Sequence, residues 1–130
     1  MPRRFWGAAL LLIGLAGCAV NGPKFSDSSN SIQPVAAGMG RIYFYREVGF
    51  AGAGVRPPVI MDGVIVGQSL PGGVFYKDVT PGTHRVEVMT EITNATDVAI
   101  GSGESKYVKT SPALGVLQGR VEVTAVDATE

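Results

Sequence analysis

The sequence predicts an all-β domain, an antiparallel two-sheet sandwich of about seven or eight strands with an Ig-like or prealbumin-like arrangement. Three observations carry this prediction. Runs rich in valine, isoleucine, phenylalanine and tyrosine recur at intervals of about ten residues. Turn-forming residues separate the runs, at Asp62-Gly63, Pro71-Gly72-Gly73 and Pro81-Gly82. Beyond the N-terminal stretch, no window has the periodicity of an amphipathic helix.

The first predicted strand alternates apolar and aromatic side chains. Ile42 and Phe44 are expected to face the core. Tyr43 and Tyr45 are expected on the opposite side. The next strand is predicted at a sheet edge, because it begins with Pro58 and proline cannot donate a backbone hydrogen bond. The predicted strands are residues 41–46, 58–61, 64–67, 73–79, 84–90, 96–100, 104–110 and 120–127, with residues 111–119 as a loop.

The turns define a set of structural residues. Asp62 and Gly63 supply the two positive-φ positions that a type I′ hairpin needs. In the later turn, Pro81 fixes its own φ and Gly82 leaves the next position free. His84 directly follows this turn, and we expect it to bond a turn carbonyl. These five residues are therefore assigned structural roles.

The composition gives no argument for a nucleic-acid partner. The 130-residue chain carries 11 lysines and arginines against 11 aspartates and glutamates, so its formal net charge is zero. Nucleic-acid-binding proteins need a clear basic patch, which this balance does not predict. The length allows one domain, and residues 39–130 are assigned to the sandwich.

Residues 1–17 have the layout of a secretory signal peptide: two arginines, an apolar run and small residues at the cut. The apolar run of residues 5–16 is shorter than the roughly 20 residues of a spanning helix. The sequence Leu15-Ala16-Gly17-Cys18 resembles the bacterial lipobox. The alternative is an ordinary secretory signal that contains a cysteine.

The lipobox resemblance implies cleavage between Gly17 and Cys18, with a diacylglycerol on the thiol and an acyl chain on the new amine. Two or more chains hold a protein stably on a membrane. Ala19, rather than an aspartate, follows the cysteine, which by the same resemblance implies an outer-membrane lipoprotein facing the periplasm. Residues 18–38 are rich in serine, asparagine, proline and glycine, and are predicted to form a flexible tether.

A wider resemblance rests on four segments of the predicted sandwich: Arg41-Ile-Tyr-Phe-Tyr-Arg46, Val59-Ile-Met-Asp62-Gly63, Val79-Thr-Pro-Gly82-Thr-His84 and Gly103-Glu-Ser-Lys-Tyr107. They resemble a family of bacterial envelope lipoproteins of unassigned function. The Asp-Gly and Pro-Gly-x-His part is also similar to PEGA-type surface domains, although the literal Pro-Glu-Gly-Ala signature is missing. The resemblance implies a small β-sandwich, and it carries over no catalytic residue.

No catalytic or metal-binding set is apparent in the sequence, and we therefore predict a non-enzymatic protein without a cofactor. His84 is the only histidine and has no partner ligand at metal-site spacing. No serine lies in a Gly-x-Ser-x-Gly elbow. Asp62 belongs to a turn, and nothing in the sequence brings Asp78 beside it as a catalytic carboxylate pair.

Four tyrosines remain as possible binding residues: Tyr43, Tyr45, Tyr76 and Tyr107. Exposed on a sheet face, they could receive a partner protein or stack on sugars. The alternative for the same residues is core or cross-strand packing. The leading hypothesis is a lipid-anchored, non-catalytic interaction or structural module of the cell envelope. The second hypothesis is a carbohydrate-binding module for peptidoglycan or another cell-wall glycan.

Overall fold

The computed structural model describes Lys24 and residues 31–49, 54–113 and 120–126. The predicted signal peptide, the Gly17–Cys18 cleavage site and the lipidated Cys18 lie outside the described residues. Within the described ranges, no helix is long and apolar enough to cross a membrane.

Two four-stranded sheets form the domain, so the predicted all-β sandwich is confirmed. The first, here called the β1 sheet, has the strand order β4-β1-β7-β8, and the second, the β2 sheet, has the order β3-β2-β5-β6. No α-helix occurs in the described part of the chain. The strands are β1 (Gly40–Tyr45), β2 (Pro58–Met61), β3 (Val64–Gln68), β4 (Val74–Val79), β5 (Gly82–Met89), β6 (Thr93–Ile100), β7 (Ser105–Ala113) and β8 (Arg120–Val126).

The central strand of the first sheet, β1, has one antiparallel and one parallel neighbour. It pairs antiparallel with β4, Tyr43 opposite Tyr76, and parallel with β7, Tyr43 opposite Tyr107. The other paired strands run antiparallel. This single parallel pair is the departure from a wholly antiparallel sandwich. It joins two strands that are far apart in sequence and enter the sheet from the same end.

The core lies between the sheets and follows the predicted alternation. Ile42 and Phe44 of β1 are fully buried, whereas Tyr43 and Tyr45 are half-buried on the outer face. The ring of Phe44 stacks on Phe75 of β4 with the ring centroids 4.8 Å apart. The other buried apolar residues are Val59, Met61, Val79, Val86, Val88, Val98, Ile100 and Val108.

The predicted turns have the backbone angles that their residues favour. Asp62 and Gly63 have φ values of 51° and 81°, as a type I′ turn requires, and join β2 to β3. Gly72 has a φ of 67° after Pro71, and Gly73 N donates a hydrogen bond to the Leu70 carbonyl at 2.9 Å. Both turns therefore form where local turn chemistry predicts them.

Strand β5 begins at Gly82 rather than at residue 84, and β6 begins at Thr93 rather than at residue 96. Two further details of the predicted strands are wrong. The strand that begins at Pro58 is not an edge strand, since β2 lies between β3 and β5. Proline is tolerated there because it is the first residue of the strand. The strand β7 continues beyond Thr110 into the predicted loop and contains Pro112. Its pairing with β1 ends at Lys109, so among the described residues Pro112 lies where β7 has β8 as its one paired neighbour.

Candidate functional site

Three of the four predicted tyrosines stand side by side on the outer face of the β1 sheet. Tyr43 is directly opposite both Tyr76 and Tyr107 in the strand register. Its ring centroid lies 5.8 Å from that of Tyr76 and 5.3 Å from that of Tyr107. Tyr45 follows on the same face of β1, opposite Val74. We call the four tyrosines the tyrosine face.

Two rings of the tyrosine face, those of Tyr43 and Tyr107, stack on one another, whereas the ring of Tyr76 is tilted by 55° against Tyr43. The planes of Tyr43 and Tyr107 are within 10° of parallel. Because these rings come from neighbouring strands about 4.8 Å apart, stacking at this distance turns their edges outward. The guanidinium carbon of Arg41 lies 4.0 Å from the ring centroid of Tyr76 and covers its face. The surface therefore offers ring edges and hydroxyl groups more than open ring faces.

Arg41 binds the chain segment that precedes β1. It alternates with Ile42 onto the outer face of the sheet, yet it is only 2% exposed. Its Nε and Nη2 donate to the two carboxylate oxygens of Asp78 at 2.6 and 3.0 Å. Its Nη1 donates to the Gln33 carbonyl at 2.6 Å, and Nη2 also reaches the Pro34 carbonyl at 3.3 Å. We call this arrangement the Arg41 clamp.

Both charged groups of the Arg41 clamp, the guanidinium of Arg41 and the carboxylate of Asp78, are paired with each other. The hydrogen bond to Asp78 holds the pKa of Arg41 above its ordinary value, and the same bond lowers the pKa of Asp78. Ala36 N also donates to Asp78 at 3.4 Å. The predicted tether therefore contacts the sandwich at Gln33, Pro34 and Ala36.

A groove of about 290 Å³ lies where this segment meets the tyrosine face. The segment contributes Ser31 and Ile32, and the sheet contributes residues of β1 and β4. The lining residues from the sheet are Tyr43, Val74, Phe75 and Tyr76. The incoming chain and the tyrosines thus form one continuous surface.

A second polar cluster lies at the end of the β2 sheet, around the only histidine. His84 Nδ1 lies 2.6 Å from Asp62 Oδ2, and Nε2 lies 2.7 Å from the Thr80 carbonyl oxygen. Arg85 N donates to the other carboxylate oxygen of Asp62 at 2.9 Å. The cluster ties the β2–β3 turn to the β4–β5 turn. We call it the His84 staple.

The His84 staple requires a protonated histidine. Carboxylate and carbonyl oxygens only accept, so both contacts of His84 are hydrogen bonds only when both ring nitrogens carry a proton. Asp62, and then the Thr80 carbonyl, raise the pKa of His84 above its ordinary value. The bond from His84, and then that from Arg85 N, lower the pKa of Asp62.

The stability of the protein should therefore fall as the pH rises past neutrality. A raised folded-state pKa means that the histidine contribution is complete below the unfolded-state value of about 6.5 and is lost as the pH rises through the folded-state pKa. We expect a decrease of about 1 kcal/mol in the free energy of unfolding between about pH 6 and pH 9. Urea denaturation at a series of pH values measures it.

The matched control is Asp62→Asn, because asparagine tolerates the positive φ of this position but carries no charge. This variant should show a smaller decrease over the same pH range, and His84→Gln should show none. An equal slope in the parent chain and in His84→Gln would assign the pH dependence to other groups.

The other carboxylates and hydroxyls singled out in the sequence have partners within the fold. In the described ranges, no three histidine, cysteine, aspartate or glutamate side chains come together in a group that could hold a metal ion. Asp62 and Asp78 do not act on each other, since Asp62 binds His84 and Asp78 binds Arg41. Ser69 and Thr110 share a buried hydroxyl hydrogen bond of 2.8 Å inside the sandwich.

Sequence reasoning missed Arg41 as part of the site. In the sequence Arg41 stands out only as the start of a predicted strand and of one segment of the family resemblance, because its partner Asp78 is 37 positions away. The signal is present in the pairing of β1 with β4, where Arg41 stands directly opposite Asp78 and Tyr43 opposite Tyr76. A search for antiparallel registers that oppose unlike charges and match aromatic residues could have found it.

Fold and site together define a small β-sandwich domain with an aromatic outer face and a clamped N-terminal segment. The chain belongs to the family described as "Protein of unknown function (DUF2846)", whose model matches residues 36–121. It is similar to an "Uncharacterized protein" of Haemophilus influenzae, with 25% identity over 125 residues, covering 95% of this chain and 74% of that relative. No solved structure matches the chain.

Proposed function

We propose that this protein is a bacterial envelope lipoprotein, anchored through Cys18, whose β-sandwich is a non-catalytic interaction module. The anchor is supported by the lipobox-like sequence that ends at Cys18, the only cysteine of the chain. By the same resemblance, the protein resides in the outer membrane and faces the periplasm. Two or more acyl chains would hold it there stably.

The tyrosine face is the observation that supports an interaction module. Tyrosines are enriched at protein interfaces because a large apolar ring carries a hydroxyl that can bond a partner. Here three of them form a preformed row, and Arg41 and Asp78 fix one end of that row. Little side-chain entropy remains to be lost on binding, which favours the association of a partner with this face.

The glycan alternative receives less support from the same geometry. Sugar rings stack on exposed aromatic faces, and in this row Tyr43 stacks on Tyr107 while Arg41 covers Tyr76. A glycan would therefore meet mainly ring edges. Sedimentation of the purified protein with cell-wall sacculi tests this alternative, and co-sedimentation that Tyr107→Ala abolishes would favour it.

One experiment tests the lipid anchor and the tyrosine face separately. A bacterial host is fed an alkyne-bearing fatty acid, which labels acylated proteins, and proteins are then crosslinked in its intact envelopes. The parent chain should take up the label, stay in the membrane fraction and crosslink to a discrete partner. Cys18→Ser should lose the label at least tenfold and leave the membrane fraction. Tyr107→Ala should keep the label and lose most of the crosslinked partner.

The matched controls change neighbouring or exposed positions. Ala19→Ser keeps the cysteine, and Thr83→Ala alters an exposed residue of the other sheet. If Cys18→Ser took up as much of the fatty-acid label as the parent chain, this would contradict a lipid anchor on Cys18. Crosslinks that are lost equally in Tyr107→Ala and Thr83→Ala would contradict the assignment of the face.

A further inference from the structure

The edge strand β3 has the features of a strand that accepts another strand. It is the terminal strand of the β2 sheet and, in the described ranges, its backbone pairs with β2 alone. Backbone N–H and C=O groups on its other side therefore point out of the sheet. Val64 and Ile65 are 64% and 67% exposed, which places them among the most exposed large apolar side chains described.

The other three edge strands each carry charged residues, and β3 carries none. Charge on an edge, above all an inward-pointing lysine, is a device that prevents sheets from joining. Edge strand β4 contains Lys77 on the inner-facing side of the alternation, and β6 contains the exposed Asp97. Edge strand β8 contains Arg120 and Glu122. The sequence of β3 is Val-Ile-Val-Gly-Gln, without charge or proline.

The edge is also held rigidly in place. Gly67 packs so tightly that a Cβ atom there would lie 2.5 Å from the ring of Phe75 in β4. The type I′ turn at Asp62-Gly63 fixes the start of the strand, and the His84 staple fixes that turn. The register of β3 against β2 shifts between Val59 and Ile60, so Val66 forms a bulge and the regular part of the edge is short. A strand that arrives at this edge meets a backbone that is already ordered, which lowers the entropic cost of pairing.

We propose that β3 pairs with β3 of a second copy of this chain, antiparallel across a two-fold axis, and so joins the two β2 sheets into one eight-stranded sheet. The absence of charge on β3 is the reason for choosing a second copy of the chain as its partner. An uncharged, apolar edge accepts an uncharged, apolar strand, and β3 is itself such a strand. When two β3 strands pair, no like charges within the strands come together. A two-fold axis uses the same edge in both copies, so the assembly ends at a dimer.

Disulfide crosslinking through one introduced cysteine, in the full-length chain in its membranes, tests the pairing. Across an antiparallel two-fold, residues near the axis have Cα atoms about 4.5–5.5 Å apart, which is within disulfide range. Val64→Cys, Ile65→Cys and Gln68→Cys are introduced one at a time. We expect at least one of them to give a disulfide-linked dimer under mild oxidation, in at least tenfold excess over the control.

The control is Ala95→Cys, which is also an exposed position, on edge strand β6. The parent chain, which has Cys18 alone, accounts for any link through that residue. Dimer formed equally by Ala95→Cys and the β3 variants, or by neither, would overturn the proposal. A β3-dependent link to a protein of different mass would also overturn it and would assign the edge to another strand.

A second test of the β3 pairing introduces opposite charges at one position and needs no oxidation. Ile65 is exposed, so Ile65→Lys and Ile65→Glu leave the core unchanged. Each variant alone should weaken self-association at least tenfold, measured by light scattering of the purified full-length chain. Mixing the two variants should restore association. Dimers that persist unchanged in both variants, or a parent chain that is monomeric at every concentration, would contradict pairing through β3. The proposal does not depend on the lipid anchor.

Discussion

Replacing Arg41 with alanine is expected to lower the free energy of unfolding by about 2–3 kcal/mol and to release residues 31–36 from the sheet. Removing one partner of a fully buried ion pair costs about 3–5 kcal/mol, since the other charge is left without compensation. The expected loss is smaller here because Asp78 remains 23% exposed and can still be hydrated. Denaturant unfolding measures the first effect, and hydrogen exchange at the Ala36 amide measures the second.

Two further variants separate charge from geometry. Arg41→Lys keeps the charge but loses the planar fork that binds Asp78 and two carbonyls together, so it should recover only part of the stability. A double-mutant cycle with Asp78→Asn should give a coupling energy of about 1–3 kcal/mol. Additive effects of the two changes would show that the two side chains do not stabilise each other.

Replacing Phe44 with alanine is expected to have the largest effect on stability, a loss of about 3–5 kcal/mol. Phe44 is 1% exposed and stacks on Phe75, so truncation removes the ring contacts and leaves a cavity between the sheets. A loss of this size is a large part of the total stability of a small domain. The midpoint of denaturant unfolding measures it.

Phe44→Leu is the matched control, because it keeps most of the buried volume and should cost less than about 1.5 kcal/mol. Tyr45→Ala, on the outer face of the same strand, should also cost less than Phe44→Ala. Equal losses at Phe44 and Tyr45 would contradict the assignment of the inner and outer faces of β1.

Local chemistry accounts for the parts of the fold that could be predicted from the sequence. The type I′ turn follows from Asp62-Gly63, since few other residue pairs adopt positive φ at both positions. The faces of β1 follow from its alternation, because successive side chains point to opposite sides of a strand. Both signals lie within a few residues of one another along the chain.

The parts of the fold and of the site that could not be predicted depend on contacts between segments that are distant in the sequence. Turn residues specify neighbouring antiparallel strands, and nothing local indicates that β1 and β7 pair in parallel. Proline at the start of β2 suggested an edge, although the true edge on that side is β3. The tyrosines were found as candidates from composition, but their common row required the registers of β1 with β4 and β7.

The Arg41 clamp also sets where mechanical tension enters the domain. The segment of residues 31–36 runs along the sheet in the direction opposite to β1, from the Val74 end toward Asp78. Force applied to the chain before Ser31 therefore meets the bonds from Arg41 to the Gln33 and Pro34 carbonyls before it reaches the backbone ladder of β1. Peeling of β1 would begin only after the clamp has opened. When the protein is pulled through its N-terminal chain, the clamp therefore protects β1 from unfolding. Both β4 and β7 pair with β1, so the β1 sheet depends on this strand.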